Sequence, residues 1–249
     1  MRIRSLTVLA LICVGPALAA PSFAGQAAVQ PQAASLQSAE EPRPSELGDF
    51  NRKIFYKNKL EFEFETGWLW YNTPLFLNPI LGEAFKRNPN TVDYTLNPYI
   101  LGLRWQLYDI SGRSFWRGNT EVNLAGTGTV IAQGPETLFA AALAGARYNF
   151  VQPNWRLVPY TELRFGMGFT DARQPNEKRL GKVQVGQGQD FTFTFMLGAG
   201  VRYDINERYS VSAGVSYMHI SNLYMSEPRY YNHGVNVLGP QVGLNVGLF

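Results

Sequence analysis

His219 and Ser221 are the residues of this chain whose types and spacing could do chemistry. An imidazole within reach of a hydroxyl takes its proton as the oxygen attacks a carbonyl. A His beside a Ser is therefore the smallest unit of acyl transfer by a serine nucleophile. The two stand in the run YMHISN, Tyr217 to Asn222, and His219 is one of two histidines in 249 residues. On a β-strand, residues two apart share a face, with Cα atoms about 6–7 Å apart, so their side chains can converge. His-x-Ser by itself is a weak pattern, and its meaning depends on the element that carries it.

That element reads YSVSAGVSYMHISN from Tyr209. Tyr209, Val211, Ala213, Val215 and Tyr217 form an apolar row; Ser210, Ser212, Gly214 and Ser216 form a small polar one. His219 and Ser221 continue the apolar row, against the pattern. If the apolar row faces lipid, two explanations compete. The pair lies past the membrane edge, where outward polar groups cost little. Alternatively it is a nucleophile and its base, turned towards a substrate held in the membrane.

The rest of the chain defines the membrane. MRIRSLTVLALICVGPALA has a basic start, a short apolar run and small residues, which predicts a signal peptide over 1–24, cleaved after Ala19 or Ala24. The run is too short for a spanning helix. Cys13 lies inside it behind Ile12, which is not the small residue that lipidation requires, so the mature chain has no cysteine for disulfide or thiolate chemistry. The net charge of +3 includes Arg2 and Arg4, and the remainder is too balanced to predict a nucleic-acid partner. Residues 25–56, rich in Ala, Gln, Pro, Ser and Glu, read as a disordered leader.

From about Lys57 the sequence alternates. Eight segments are marked: 57–71, 93–109, 114–131, 137–151, 155–171, 190–205, 209–222 and 235–249. In 190–205, Phe191, Phe193, Phe195, Leu197, Ala199 and Val201 oppose Thr192, Thr194, Gly198, Gly200 and Arg202. In 57–71, Leu60, Phe62, Phe64, Trp68 and Trp70 oppose Glu61, Glu63 and Glu65. These segments exceed the usual strand length of about five or six residues, and their polar faces carry both signs of charge. An exported membrane protein built from strands must close them into a barrel. The fold predicted is all-β, an eight-stranded antiparallel transmembrane β-barrel of the outer-membrane type, over 57–249. Its lumen is filled by side chains.

In that barrel Glu61, Glu63, Glu65, Glu121 and Glu162 are lumen charges paired with Arg104, Arg117, Arg147, Arg164 and Arg202. Trp68, Trp70, Tyr71, Trp105, Trp116, Trp155, Tyr203 and Tyr217 suit interfacial girdles. The polar connection 172–189 is expected outside the cell; its Lys178, Arg179 and Lys182 either meet lipopolysaccharide phosphates or are simply solvated. The chain ends on the aromatic Phe249. Leu244, Val246 and Leu248 alternate out of phase with it, which a bulge near the end would reconcile.

The span HISNLYMSEPRYYNHGVN, His219 to Asn236, resembles the lipid A 3-O-deacylase (PagL-type) family of outer-membrane barrels. That family carries H-x-S-N near the end of its penultimate strand and an N-x-G turn into the last. The resemblance implies His219 as general base and Ser221 as nucleophile. It implies oxyanion donors in the Asn222 side chain and the Tyr224 backbone N–H, with Asn232 and Gly234 forming the turn. The reaction implied is hydrolysis of the ester at the 3-position of lipid A, with no metal or other cofactor. The implied partners are lipid A in the outer leaflet and the outer membrane, with a homodimer as a further assembly to consider. Two positions depart from the family pattern. Its acidic third member falls on Asn236, with Glu227 as the alternative carboxylate, and its oxyanion-hole glycine falls on Tyr224. His233 reads as the middle of the turn. The rival reading is a non-catalytic barrel serving as adhesin, envelope spacer or solute binder.

Overall fold

The computed structural model describes residues 48–73, 93–172, 186–223, 225 and 234–248. They form one antiparallel sheet closed on itself. Its strands are β1 (Leu60–Gly67), β2 (Tyr71–Asn72), β3 (Thr95–Gln106), β4 (Asn119–Gln133), β5 (Leu138–Asn149), β6 (Leu157–Thr170), β7 (Phe191–Asp204), β8 (Tyr209–Ser221) and β9 (Val235–Gly247). Each pairs with the next long strand, and β1 pairs with β9, so no long edge remains. In hydrocarbon that closure is obligatory, because an unpaired backbone group there has no water to bond.

β1 and β2 are one barrel strand with a bulge between them. Gly67 faces Gln241 across β9, but Tyr71 faces Leu238, a shift of one residue. Opposite the shift lies Pro240, which has no N–H to give and accepts from the Trp68 N–H instead. The bulge keeps Leu69 inside while Trp68, Trp70 and Tyr71 face out. It also carries the barrel wall up to the Thr73 N–H, which bonds the Asn236 carbonyl. The eight predicted strands are therefore present. The segment drawn from 114 starts late, because Ser114–Trp116 forms a 3-10 turn before β4.

The alternation sorts the lumen into layers. In the middle, Arg104, Arg147 and Arg164 converge on Glu65 and Glu162. The contacts run from 2.7 to 2.8 Å, and Arg104 and Arg164 also touch Glu63. Below them Arg202 grips Glu61 through two bonds of 2.6 and 2.9 Å and reaches Asp204. Arg117 was expected in this layer but is not there. It sits below β4, at the rim where the chain ends, and binds the Asp49 carboxylate at 2.6 Å.

Asp49 belongs to a plug, which corrects the end of the predicted disordered leader. Residues 50–53 form a 3-10 turn capped by Asp49, and Ile54 and Phe55 pack on Val151 and Val158. The remainder of the predicted leader, 25–47, and the predicted signal segment, 1–24, lie outside the described residues.

At the other rim the lumen turns apolar. Leu69, Leu96, Ile100, Phe139, Met196, Met218, Ile220, Val235 and Val237 form a buried cluster there. Above it Glu136 accepts from Tyr94 Oη at 2.8 Å and from the Gln187 N–H, tying three connections together. Three of the four connections at this rim, 73–94, 171–190 and 222–234, are long. Long loops are extracellular and short turns periplasmic in such barrels, so the apolar end is the extracellular one. The described ends of connection 172–189, Ala172 and residues 186–189, lie at this rim; its middle, with Lys178, Arg179 and Lys182, lies outside the described residues. Trp68, Trp70 and Tyr71 ring this end and Trp105, Trp116, Trp155 and Tyr203 the other, all at least 45% exposed. β9 keeps one register with β8 from Val235 to Val246, and Phe249 lies outside the described residues.

The middle layer makes a stability prediction. Arg164→Met leaves Glu63, Glu65 and Glu162 short of a buried partner, a loss of about 3–5 kcal/mol. The folded band in a urea titration read by gel mobility should therefore disappear at lower urea. An unchanged midpoint would mean this guanidinium is dispensable to the lumen.

Candidate active site

β8 and β9 reverse the barrel's pattern at their extracellular ends. Met218 and Ile220 point inward, fully buried, while Tyr217, His219 and Ser221 belong to the outward row. On β9, Val235 and Val237 point inward and Asn236 outward. The polar groups thus stand on the outer wall, backed by an apolar, packed interior that holds their strands in place. The Thr194 hydroxyl adds a bond of 2.9 Å to the His219 carbonyl. The predicted outward direction of His219 and Ser221 is what the strands produce.

Register brings the third residue to them. His219 faces Asn236 directly across β8 and β9. Its Nδ1 lies 2.9 Å from Asn236 Oδ1. The same oxygen accepts from Tyr217 Oη at 2.6 Å, and Asn236 Nδ2 donates to the Gly234 carbonyl at 3.2 Å. A backbone carbonyl only accepts, so the amide nitrogen must face Gly234 and the amide oxygen must face the imidazole. Facing an acceptor, Nδ1 carries the proton. Nε2 is then the lone-pair nitrogen, the form a general base requires.

Ser221 is the last residue of β8 and is buried. Its Oγ accepts from the Leu223 N–H at 3.2 Å, and the Met225 N–H closes a turn on the Asn222 carbonyl. Leu223 has φ 53°, a left-handed conformation that costs a branched side chain about 1 kcal/mol or more. A tight turn after the motif therefore falls on Leu223. Asn222 is fully buried. Tyr224, Glu227, Asn232 and His233 lie outside the described residues.

Gly234 is placed by a close approach. A Cβ there would come 3.2 Å from His219 Cε1, so the ring would have to give by a few tenths of an ångström for any larger residue. Tyr217 is the residue that sequence reasoning missed. It was grouped with the girdle aromatics, yet it is 6% exposed and bonded to Asn236. Its position two before His219 on the same row was the available signal.

The surrounding wall is aromatic on one flank. Across β7, Phe193 faces Ser221 and Phe195 faces His219, and Phe195 meets the Tyr217 ring at 6.3 Å between centroids. On the other flank Tyr71, from the extracellular girdle, faces Leu238, which faces Tyr217. His219 and Asn236 therefore stand one pleat above a girdle residue, at the level of the membrane interface.

A family model described as lipid A 3-O-deacylase (PagL) matches residues 97–245, a span that includes His219, Ser221 and Asn236. The chain belongs to that family. It is accordingly an integral β-barrel of the outer membrane. Among solved structures, a crystal structure of the outer membrane enzyme PagL is similar at 17% identity, over 74% of this chain and 97% of that one, with a TM-score of 0.46. Neisserial surface protein A is similar at 14% identity over 76% and 96%, with a TM-score of 0.42. The N-terminal barrel domain of Pseudomonas aeruginosa OprF is similar at 16% identity over 76% and 98%, with a TM-score of 0.37. No curated protein matches the chain.

The close approach of Gly234 to the His219 ring has a measurable consequence. Gly234→Ala should displace the His219 ring by a few tenths of an ångström and shift its Hε1–Cε1 resonance, with barrel folding intact. An unmoved resonance would mean that the turn, and not the ring, absorbs the methyl group.

Proposed function

We propose that the chain is a serine esterase that hydrolyses the acyl ester at the 3-position of lipid A, in the outer leaflet of the outer membrane. The observation that carries this reading is the His219 Nδ1···Asn236 Oδ1 bond of 2.9 Å. It leaves Nε2 basic on the same outward row as Ser221. Ser221 Oγ attacks the ester carbonyl carbon while His219 Nε2 takes its proton. The oxyanion formed is met by the Asn222 side chain and the Tyr224 backbone N–H. Collapse breaks the bond to the sugar oxygen, which receives the proton from His219, and water then releases the fatty acid from Ser221. Asn236 holds the tautomer but brings no charge to the imidazolium, so the rate should lie below that of a carboxylate-supported triad.

The outward setting suits a lipid substrate. Lipid A moves laterally to the wall, and its acyl chains hang beside Phe193 and Phe195. Those chains already lie in hydrocarbon, so the phenyl rings add little affinity. What such a wall supplies is orientation, which selects the ester that reaches Ser221. Neither the fold nor the family match supports a homodimer. The uncharged Asn236 favours one rival, a barrel that keeps the fold without the activity.

Mass spectrometry of lipid A incubated with the purified protein decides between them. Loss of one 3-hydroxyacyl chain is expected, and Ser221→Ala and His219→Ala should each remove the reaction. Lipid A left intact by the unaltered protein, or release that persists in Ser221→Ala, would overturn the esterase assignment.

A further inference from the structure

An asparagine beside a catalytic histidine has a wrong end. If Nδ2 faced the imidazole, Nδ1 would have to accept, the proton would sit on Nε2, and the base would be lost. In a serine protease that inversion, caused by replacing Asp with Asn, costs about 10⁴ in kcat. We propose that Tyr217 is a positioning residue that holds the Asn236 carboxamide with its oxygen towards His219, and so makes an asparagine usable at this position. The proposal rests on the esterase reading for its catalytic consequence, though not for its geometry.

Three contacts define the carboxamide. Oδ1 lies 2.6 Å from Tyr217 Oη and 2.9 Å from His219 Nδ1, and Nδ2 lies 3.2 Å from the Gly234 carbonyl. The shortest decides the direction. A separation of 2.6 Å falls within the range of a hydroxyl donating to oxygen, about 2.5–3.0 Å, and below that of N–H···O, about 2.7–3.2 Å. A flipped amide would put its nitrogen too close to the phenol and its oxygen against the Gly234 carbonyl, acceptor against acceptor. In the observed orientation the two lone pairs of Oδ1 receive two donors, the phenol and Nδ1–H.

Packing holds Tyr217 in the wall beside Asn236. The girdle aromatics on the outer face are at least 45% exposed, whereas Tyr217 is 6% exposed. It faces Leu238 across β9 and meets the Phe195 ring, so the phenol approaches Asn236 diagonally from one pleat below. Gly234 provides one side of the lock through its backbone, and Tyr217 provides the side that a mutation can remove.

A carboxylate has no wrong end, which sets the test. Lipid A hydrolysis is compared for the full protein, Tyr217→Phe, Asn236→Asp and the double variant. Tyr217→Phe should lower kcat about tenfold with KM little changed, the loss of one well-made hydrogen bond. In the Asn236→Asp background the same change should cost only about twofold, because both carboxylate oxygens accept. Equal losses in the two backgrounds would overturn the lock in favour of simple packing. A second readout needs no turnover. With two histidines in the chain, ¹⁵N spectra of the imidazoles can be assigned using a His233→Gln control. The unaltered protein should show His219 protonated on Nδ1, and Tyr217→Phe should raise the Nε2–H fraction. An Nε2–H tautomer in the unaltered protein would sink the proposal. A Tyr217-dependent Nδ1–H tautomer without lipid A hydrolysis would uphold the lock and remove only the esterase reading.

Discussion

A closed wall of eight strands encloses more charge than it could hold unpaired, and the pairing of that charge is the constraint on which the structure rests. Arg104, Arg147 and Arg164 share Glu63, Glu65 and Glu162, while Arg202 holds Glu61 and Asp204, and all of them are removed from water. Removing any one partner strands a buried charge, so the layer is an all-or-none assembly. It fills the mid-lumen, and the plug from Asp49 to Phe55 fills the end below it. Among the described residues a barrel so filled leaves little interior room for a lipid, which favours the proposed site on the outer wall.

The outward site then depends on where strands meet. Pro240 cannot donate to its neighbour, and the strand beside it bulges there. The bulge lets the first barrel strand climb far enough for Thr73 to bond the Asn236 backbone. The register of β8 on β9 puts His219 opposite Asn236, and the apolar layer of Met196, Met218, Ile220, Val235 and Val237 backs both strands. Rigid backing matters for a site on a lipid-facing wall, since lipid chains offer no fixed contacts that could align the side chains from outside. What orients the imidazole must come from its own row and its cross-strand partner.

On the proposed reading, the carboxamide of Asn236 supplies the orientation that a carboxylate would give, without its charge. A carboxylate would orient His219 and also stabilise its cation. The asparagine does only the first, and does it only while its oxygen faces the ring. Gly234 serves twice, offering its carbonyl to Nδ2 and leaving open the space beside Cε1. Gly234 and the asparagine two residues later are thus one device.

Much of this was legible in the linear order. Strict alternation of Glu61, Glu63 and Glu65 with Leu60, Phe62 and Phe64 implied a strand with one charged face, and eight such segments in an exported chain implied a closed barrel. The odd numbering of His219 and Ser221 placed them outside, because side-chain direction on a strand has a period of two and needs no tertiary information. Partners were another matter. Arg117 read as a lumen charge but binds the plug, since its pairing with Asp49, 68 residues away, depends on which rim the chain re-enters. Tyr217 read as a girdle ring but donates to Asn236, because the reach between them follows from the β8–β9 register. The sequence alone determined the faces, through local geometry. Only the tertiary structure decided which atoms meet across them, because register and closure are properties of the whole sheet.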